Sequence, residues 1–238
     1  MKKYPGMFAG LMLLVSAMAV HGYPAYVFGD YALAEDSDPV LHGLVAEGAQ
    51  LVSHEPRKAR ELLSRALEKA SRGAAISEYD YLWTQYGLMK ATMEAGSASF
   101  GPGTRDEYRK VARHLLDFLD SRGSTGDWVY TEVGAFRMEA YRAAANGLAW
   151  QMMEDGENLP QALEIIDRGL EYIRGMQDYY MYDTKVRILL KMGKKQEAWN
   201  IVAQMLEEDP DFADFQDLRR NPDYRAWRSR QQAAKKLQ

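Results

Sequence analysis

Apolar residues recur along most of this chain at the three- and four-residue intervals of a helix face, and turn residues break the pattern at regular places. Leu41, Leu44, Val45 and Leu51 predict a helix over Val40–Val52. Pro56 stands where a second helix can start, because its missing N–H is not needed there. Leu62, Leu63, Ala66 and Leu67 form the stripe that follows, and Gly73 ends it. Tyr79–Glu94 is the next helix and is rich in aromatics. Gly96 to Gly103 reads as a loop. Thr104 and Glu107 then have the spacing of a capping box before Val111, Leu115, Leu116, Phe118 and Leu119. Gly123 to Gly126 breaks the chain again, and Asp127 is the expected N-cap of a long helix over Trp128–Glu154, with a kink near Asn146-Gly147. Leu159-Pro160 opens another helix, with Ile165, Ile166, Leu170 and Ile173 inward. No stretch of alternating residues argues for a sheet.

The sharpest unit is Asp183 to Pro210: a helix through Met192, a turn at Gly193, a second helix, and a proline stop. Such a pair cannot bury its apolar face alone and stacks on neighbours. Ala198, Val202 and Pro210 resemble the second-helix and terminal positions of the tetratricopeptide repeat (TPR) family, with Met205 in place of the later alanine. Ala59, Leu63 and Ala66 match another second helix; Ala162 and Ile166 match a third, where Gly169 takes the small site. On first helices, Trp83 and Gly87 match the Trp and Gly positions, Tyr86 stands for the Leu, and Leu148-Ala149 matches the Leu-Gly pair. The spacings from Ala59 to Ala162 and on to Ala198 are 103 and 36 residues. The first must hold two repeats, with the middle one anchored near Tyr108 or Ala112.

The resemblance implies an all-α fold: antiparallel helix pairs stacked as a short TPR-like right-handed α-solenoid over residues 39–212, closed by a C-terminal capping helix with a basic tail over 213–238. In that family the first helix of each pair lines the concave face. The resemblance therefore implies a partner-binding groove at Tyr81, Thr84, Gln85 and Leu88, and at Tyr180, Asp183, Arg187 and Leu190. Tyrosines and tryptophans suit such a surface because they join large contact area to a polar handle.

The N-terminus changes the expected compartment. Lys2 and Lys3 precede an apolar run from Met7 to Val20, and Ala17-Met18-Ala19 supplies the small residues of a cleavage site. The run is shorter than the roughly 20 residues that span a bilayer. The expectation is a signal peptide over 1–19, cut after Ala19, an exported linker over 20–38, and a mature protein in the bacterial periplasm or secreted. With no cysteine in the chain, disulfides, thiol chemistry and a lipid-modified cysteine are excluded.

Charge narrows the partner. The chain carries −4, or −6 without Lys2 and Lys3, so nucleic acid is not the expected partner. A basic stretch does run through Arg219, Arg220, Arg225, Arg228, Arg230, Lys235 and Lys236. It reads as the solvated face of a last helix that docks through Tyr224 and Trp227. A stable membrane span after leader removal is not expected.

The residues show no catalytic set. His21, His42, His54 and His114 include no two-histidine metal spacing. The Gly96–Gly103 stretch lacks the Lys-Ser/Thr of a nucleotide loop, and Glu154, Asp155 and Glu157 read as a solvated turn. No metal or cofactor is expected. The functional expectation is a non-enzymatic protein–protein interaction module, a scaffold or assembly factor that binds another protein or peptide. The alternative is an immunity or inhibitor protein that neutralises a periplasmic toxin or hydrolase.

Overall fold

The computed structural model describes residues 37–96, 102–123, 132–174 and 178–235. The expected leader over 1–19, nearly all of the expected linker, most of the Gly96–Gly103 loop, Asp127-Trp128 and Lys236 lie outside the described residues. Ten helices and no strand occur among those described: α1 (Pro39–Leu51), α2 (Pro56–Ser71), α3 (Glu78–Gly96), α4 (Pro102–Ser121), α5 (Glu132–Asp155), α6 (Leu159–Tyr172), α7 (Tyr179–Lys191), α8 (Lys195–Glu208), α9 (Ala213–Arg220) and α10 (Pro222–Lys235).

Local chemistry sets most of the boundaries. Asp38 caps α1 by accepting from the Val40 and Leu41 amides at 3.0 and 2.9 Å, with Pro39 as the first helical residue. Both α2 and α7 end in the same way. Gly73 and Gly193 take φ of +97° and +76°, a conformation costly for any residue with a Cβ. The next amide then reaches back to the helix: Ala74 to the Lys69 carbonyl, and Lys194 to the Leu189 carbonyl. The expected cap at Thr104 is not formed, since α4 already begins at Pro102 and Thr104 lies inside it. A proline with φ near −65° starts a helix without a side-chain cap. Helix α5 runs unbroken through Asn146-Gly147.

The chain divides into two compact units, Met1–Val111 and Ala112–Gln238, with the boundary inside α4. In the first, α2 packs on α1 and α3, and α1 also touches α3. Leu63 is the central knob. It is fully buried, and a Cβ at Gly48 of α1 or Gly87 of α3 would stand 2.7 or 2.8 Å from its side-chain carbons. Both glycines thus let backbone close on one leucine.

In the second unit neighbouring helices again pack in sequence order: α5 on α6, α6 on α7, α7 on α8, α8 on α9 and α9 on α10, with α5 also against α7. Gly169 of α6 is its tight point, where a Cβ would stand 2.9 Å from Ala145 Cβ of α5 and 2.3 Å from Met181 Cε of α7. The last core cluster joins Val186, Leu189, Ala198, Trp199, Val202, Phe215, Tyr224 and Trp227. Tyr224 and Trp227 dock on α8: Trp199 meets Tyr224 edge-on, with centroids 5.5 Å apart, and the Trp227 indole donates to Gln196 Oε1 at 2.9 Å. The outer face of α10 carries exposed Arg225 and Arg230.

Candidate protein-binding face

Helix α7 starts at Asp178, whose carboxylate accepts from the Met181 amide at 3.0 Å. The same carboxylate takes Arg142 Nη1 of α5 at 3.1 Å, while Arg142 Nε and Nη2 hold Glu139 at 2.7 and 2.9 Å. Burial alone would lower the Arg142 pKa, but Glu139 and Asp178 outweigh it and raise it. One carboxylate therefore serves as helix cap and as the tie to the neighbouring helix.

Further along, α7 faces α5 through polar groups. The Thr184 hydroxyl donates to Asn146 Oδ1 at 2.6 Å. Lys191 Nζ donates to the Met153 and Glu154 carbonyls at the C-terminal end of α5, at 2.6 and 3.3 Å. A lysine there adds a charged donor to the carbonyls at the helix end and meets the negative end of its dipole. Between these contacts the Arg187 guanidinium lies 5.7 Å from the Trp150 ring centroid and donates through Nε to Asp183 Oδ2 at 2.7 Å.

Asp183 is the most unusual group here. It is 4% exposed, and its Oδ1 has no hydrogen-bond partner among the described residues. Burial raises its pKa, Arg187 pulls it back, and Asp214 and Asp217 of α9 push it up. Asp214 is raised for related reasons: burial, opposed by Arg187 and supported by Asp217. Tyr180 stands beside them with its ring edge-on to Phe212 at 5.2 Å. Burial, Asp214 and Asp178 raise the Tyr180 pKa, against Arg142.

No family model, curated protein or solved structure matches the chain. The site must therefore be read from its own chemistry.

The residues expected from the sequence divide by exposure. Tyr180, Arg187 and Leu190 are half-buried and reach solvent at the α7 surface, and Asp183 lies beneath them. On α3, Tyr81 is half-buried, while Thr84, Gln85 and Leu88 are buried. The Thr84 hydroxyl donates to the Asp80 carbonyl one turn back at 2.6 Å, within α3. Asp80 itself is buried and holds His42 Nδ1 of α1 through both oxygens at 3.1 Å.

Sequence reasoning missed the α5 side of the face: Arg142, Asn146 and Trp150 recur every four residues, on one side of that helix. Contacts between alternate helices share one register. Asn146 to Thr184, Met153 to Lys191 and His42 to Asp80 are each 38 residues apart. Among the described residues no three His, Cys, Asp or Glu side chains are grouped as a metal site, and no helix is long and apolar enough to cross a membrane.

Proposed function

We propose that this chain is a non-enzymatic protein-binding module built of TPR-like helix pairs, and that it acts as a scaffold or assembly factor in the periplasm after loss of a leader over residues 1–19. The observation that carries the binding reading is the α5–α7 surface. There Trp150, Tyr180 and Arg187 are partly exposed over a floor of fixed polar contacts. Aromatic rings and a guanidinium held in place by neighbours lose little side-chain freedom on binding, which is the composition of interface anchors.

The repeat reading is supported by packing in both units. Alternate helices touch, α1 with α3 and α5 with α7, and their polar contacts recur at the same 38-residue lag. That is a little longer than the roughly 34 residues of a strict tetratricopeptide repeat. In such an array α5 and α7 are first helices, so Trp150, Tyr180 and Arg187 fall on the concave side.

The test is chemical cross-linking of tagged protein in cell-envelope extract, comparing wild type with the Tyr180→Ala/Arg187→Ala double variant. A discrete cross-linked partner that the double variant loses is the expected result. Identical cross-linking by both proteins removes this face from consideration. N-terminal sequencing of the purified envelope form tests the leader, with a start at Val20 expected.

A further inference from the structure

The last stretch of the chain sorts its charge into two blocks. Residues 196–218 hold seven carboxylates and no lysine or arginine, whereas residues 219–238 hold seven lysines and arginines against Asp223 alone. Blocks so close in sequence could cancel within one molecule, yet the fold of the second unit keeps much of this charge unpaired. Arg219, Arg225 and Arg230 are exposed and make no ion pair among the described residues, and the same holds for Glu207 and Asp211. Arg220 stands 3.9 Å from Asp217 and Lys195 2.7 Å from Asp223, but all four side chains are about three-fifths exposed or more, so solvent screens both pairs.

Packing explains the separation. Helix α10 turns Tyr224 and Trp227 onto α8, which leaves Arg225 and Arg230 outside. Between these arginines the outward positions are small: Ala226, Ser229 and Ala233 are exposed and follow one another at three- and four-residue intervals, so another chain can approach α10 closely. From Arg228 to Ala234 no residue of α10 is buried. That length of helix draws no support from the core, and a short helical end in water is marginal by itself. With both aromatics committed inside, α10 has no large apolar face left to enter a bilayer. What it offers a partner is positive charge, and a surface of matching negative charge exists on this same chain, where α8 passes into α9 through Glu207 and Asp211.

We propose that the chain pairs with a second copy of itself through this end, α10 of each copy lying against the acidic α8–α9 connection of the other. A two-fold axis lets each block meet its opposite twice and turns like charges away from one another. Exposed ion pairs contribute little individually, so the association is weak and depends on ionic strength. It does not involve the α5–α7 face, which stays open to another protein.

Sedimentation velocity of the purified protein at about 10 to 500 µM, in about 0.05 M and about 0.5 M salt, tests this. A dimer that weakens about tenfold or more between the two salts is expected. Arg225→Glu/Arg230→Glu should leave a monomer at the same concentrations, and so should Glu207→Lys/Asp211→Lys. Mixed in equal amounts, the two variants should form a dimer again, because each supplies the block the other has lost. All four positions are exposed, so neither variant disturbs the core. A dimer that salt and both variants leave unchanged overturns the proposal, as does a mixture that fails to pair. A wild type that stays monomeric throughout also overturns it; if that monomer binds vesicles of anionic phospholipid and Arg225→Glu/Arg230→Glu does not, the basic block serves a membrane instead. Each of these results leaves the cross-linking test of the α5–α7 face unaffected.

Discussion

At the residue scale the face is organised by carboxylates that each do two jobs. Asp178 caps α7 and anchors Arg142, and Asp183 holds Arg187 while lying beneath the surface. The second arrangement has a pH signature. Burial raises the folded-state pKa of Asp183 above 3.8, and Arg187 opposes that rise. Removing Arg187 lets the folded value climb further. Between 3.8 and the folded value the native state then binds more protons than the unfolded state, so stability falls as pH rises through that window. Arg187→Ala is therefore expected to lose about 2–4 kcal/mol at neutral pH, where a buried charge is left without its partner. The loss should shrink below the ordinary carboxyl pKa, where Asp183 is protonated in both states. Urea unfolding of wild type and variant near pH 7 and near pH 3 measures it; an equal loss at both would mean that Arg187 stabilises by packing on Trp150 alone.

At the element scale, small residues decide how closely helices approach. Gly169→Ala and Gly43→Ala make a matched pair, because both glycines lie inside helices. Alanine is preferred to glycine in a helix interior by about 1 kcal/mol. At Gly43 nothing lies within 4 Å of the added Cβ, so a gain of about 0.5–1 kcal/mol is expected. At Gly169 the flexible Met181 tip can move, but Ala145 Cβ is fixed to the α5 backbone at 2.9 Å. Overpacking costs about 1–3 kcal/mol and outweighs the propensity gain, so a net loss of about 1 kcal/mol is expected. Thermal melts of both variants check the opposite signs. The glycine at Gly87 was legible as a small first-helix residue. Its partner Leu63 was legible only as core, since nothing in the local sequence says which glycine a buried leucine meets.

At the scale of the whole molecule, the second unit is finished by α10 folding back on α8. Tyr224 and Trp227 are 1% and 7% exposed, and the Trp227 indole keeps a hydrogen bond to Gln196. Trp227→Ala removes a large buried ring and leaves the Gln196 carbonyl group without that donor. A loss of about 3–5 kcal/mol is expected. Hydrogen exchange should show it first in α8 to α10, because those helices share the core cluster. Uniformly faster exchange over α5 and α6 as well would mean that the second unit opens as one piece.

Several features of this chain follow from sequence alone, because they depend on neighbours a few residues away. Apolar spacing, Pro56 and Pro160 near helix starts, and Gly73 and Gly193 at helix ends placed most of the described helices to within a few residues. Local rules also misled where two of them competed: the Thr104–Glu107 box was overridden by Pro102 as a helix start. The side-chain environments were not legible in the same way. Thr84, Gln85 and Leu88 share a helix with Tyr81, yet packing encloses the first three and leaves Tyr81 partly open. Asp183 and Arg187, one turn apart, were expected to line one groove, whereas tertiary contact buries the carboxylate and brings Asp214 and Asp217 of a later helix into its field. Periodicity specifies which side of a helix is apolar. Which polar group is desolvated, and which charge it must share, is decided only when residues some 30 to 40 positions apart are brought together.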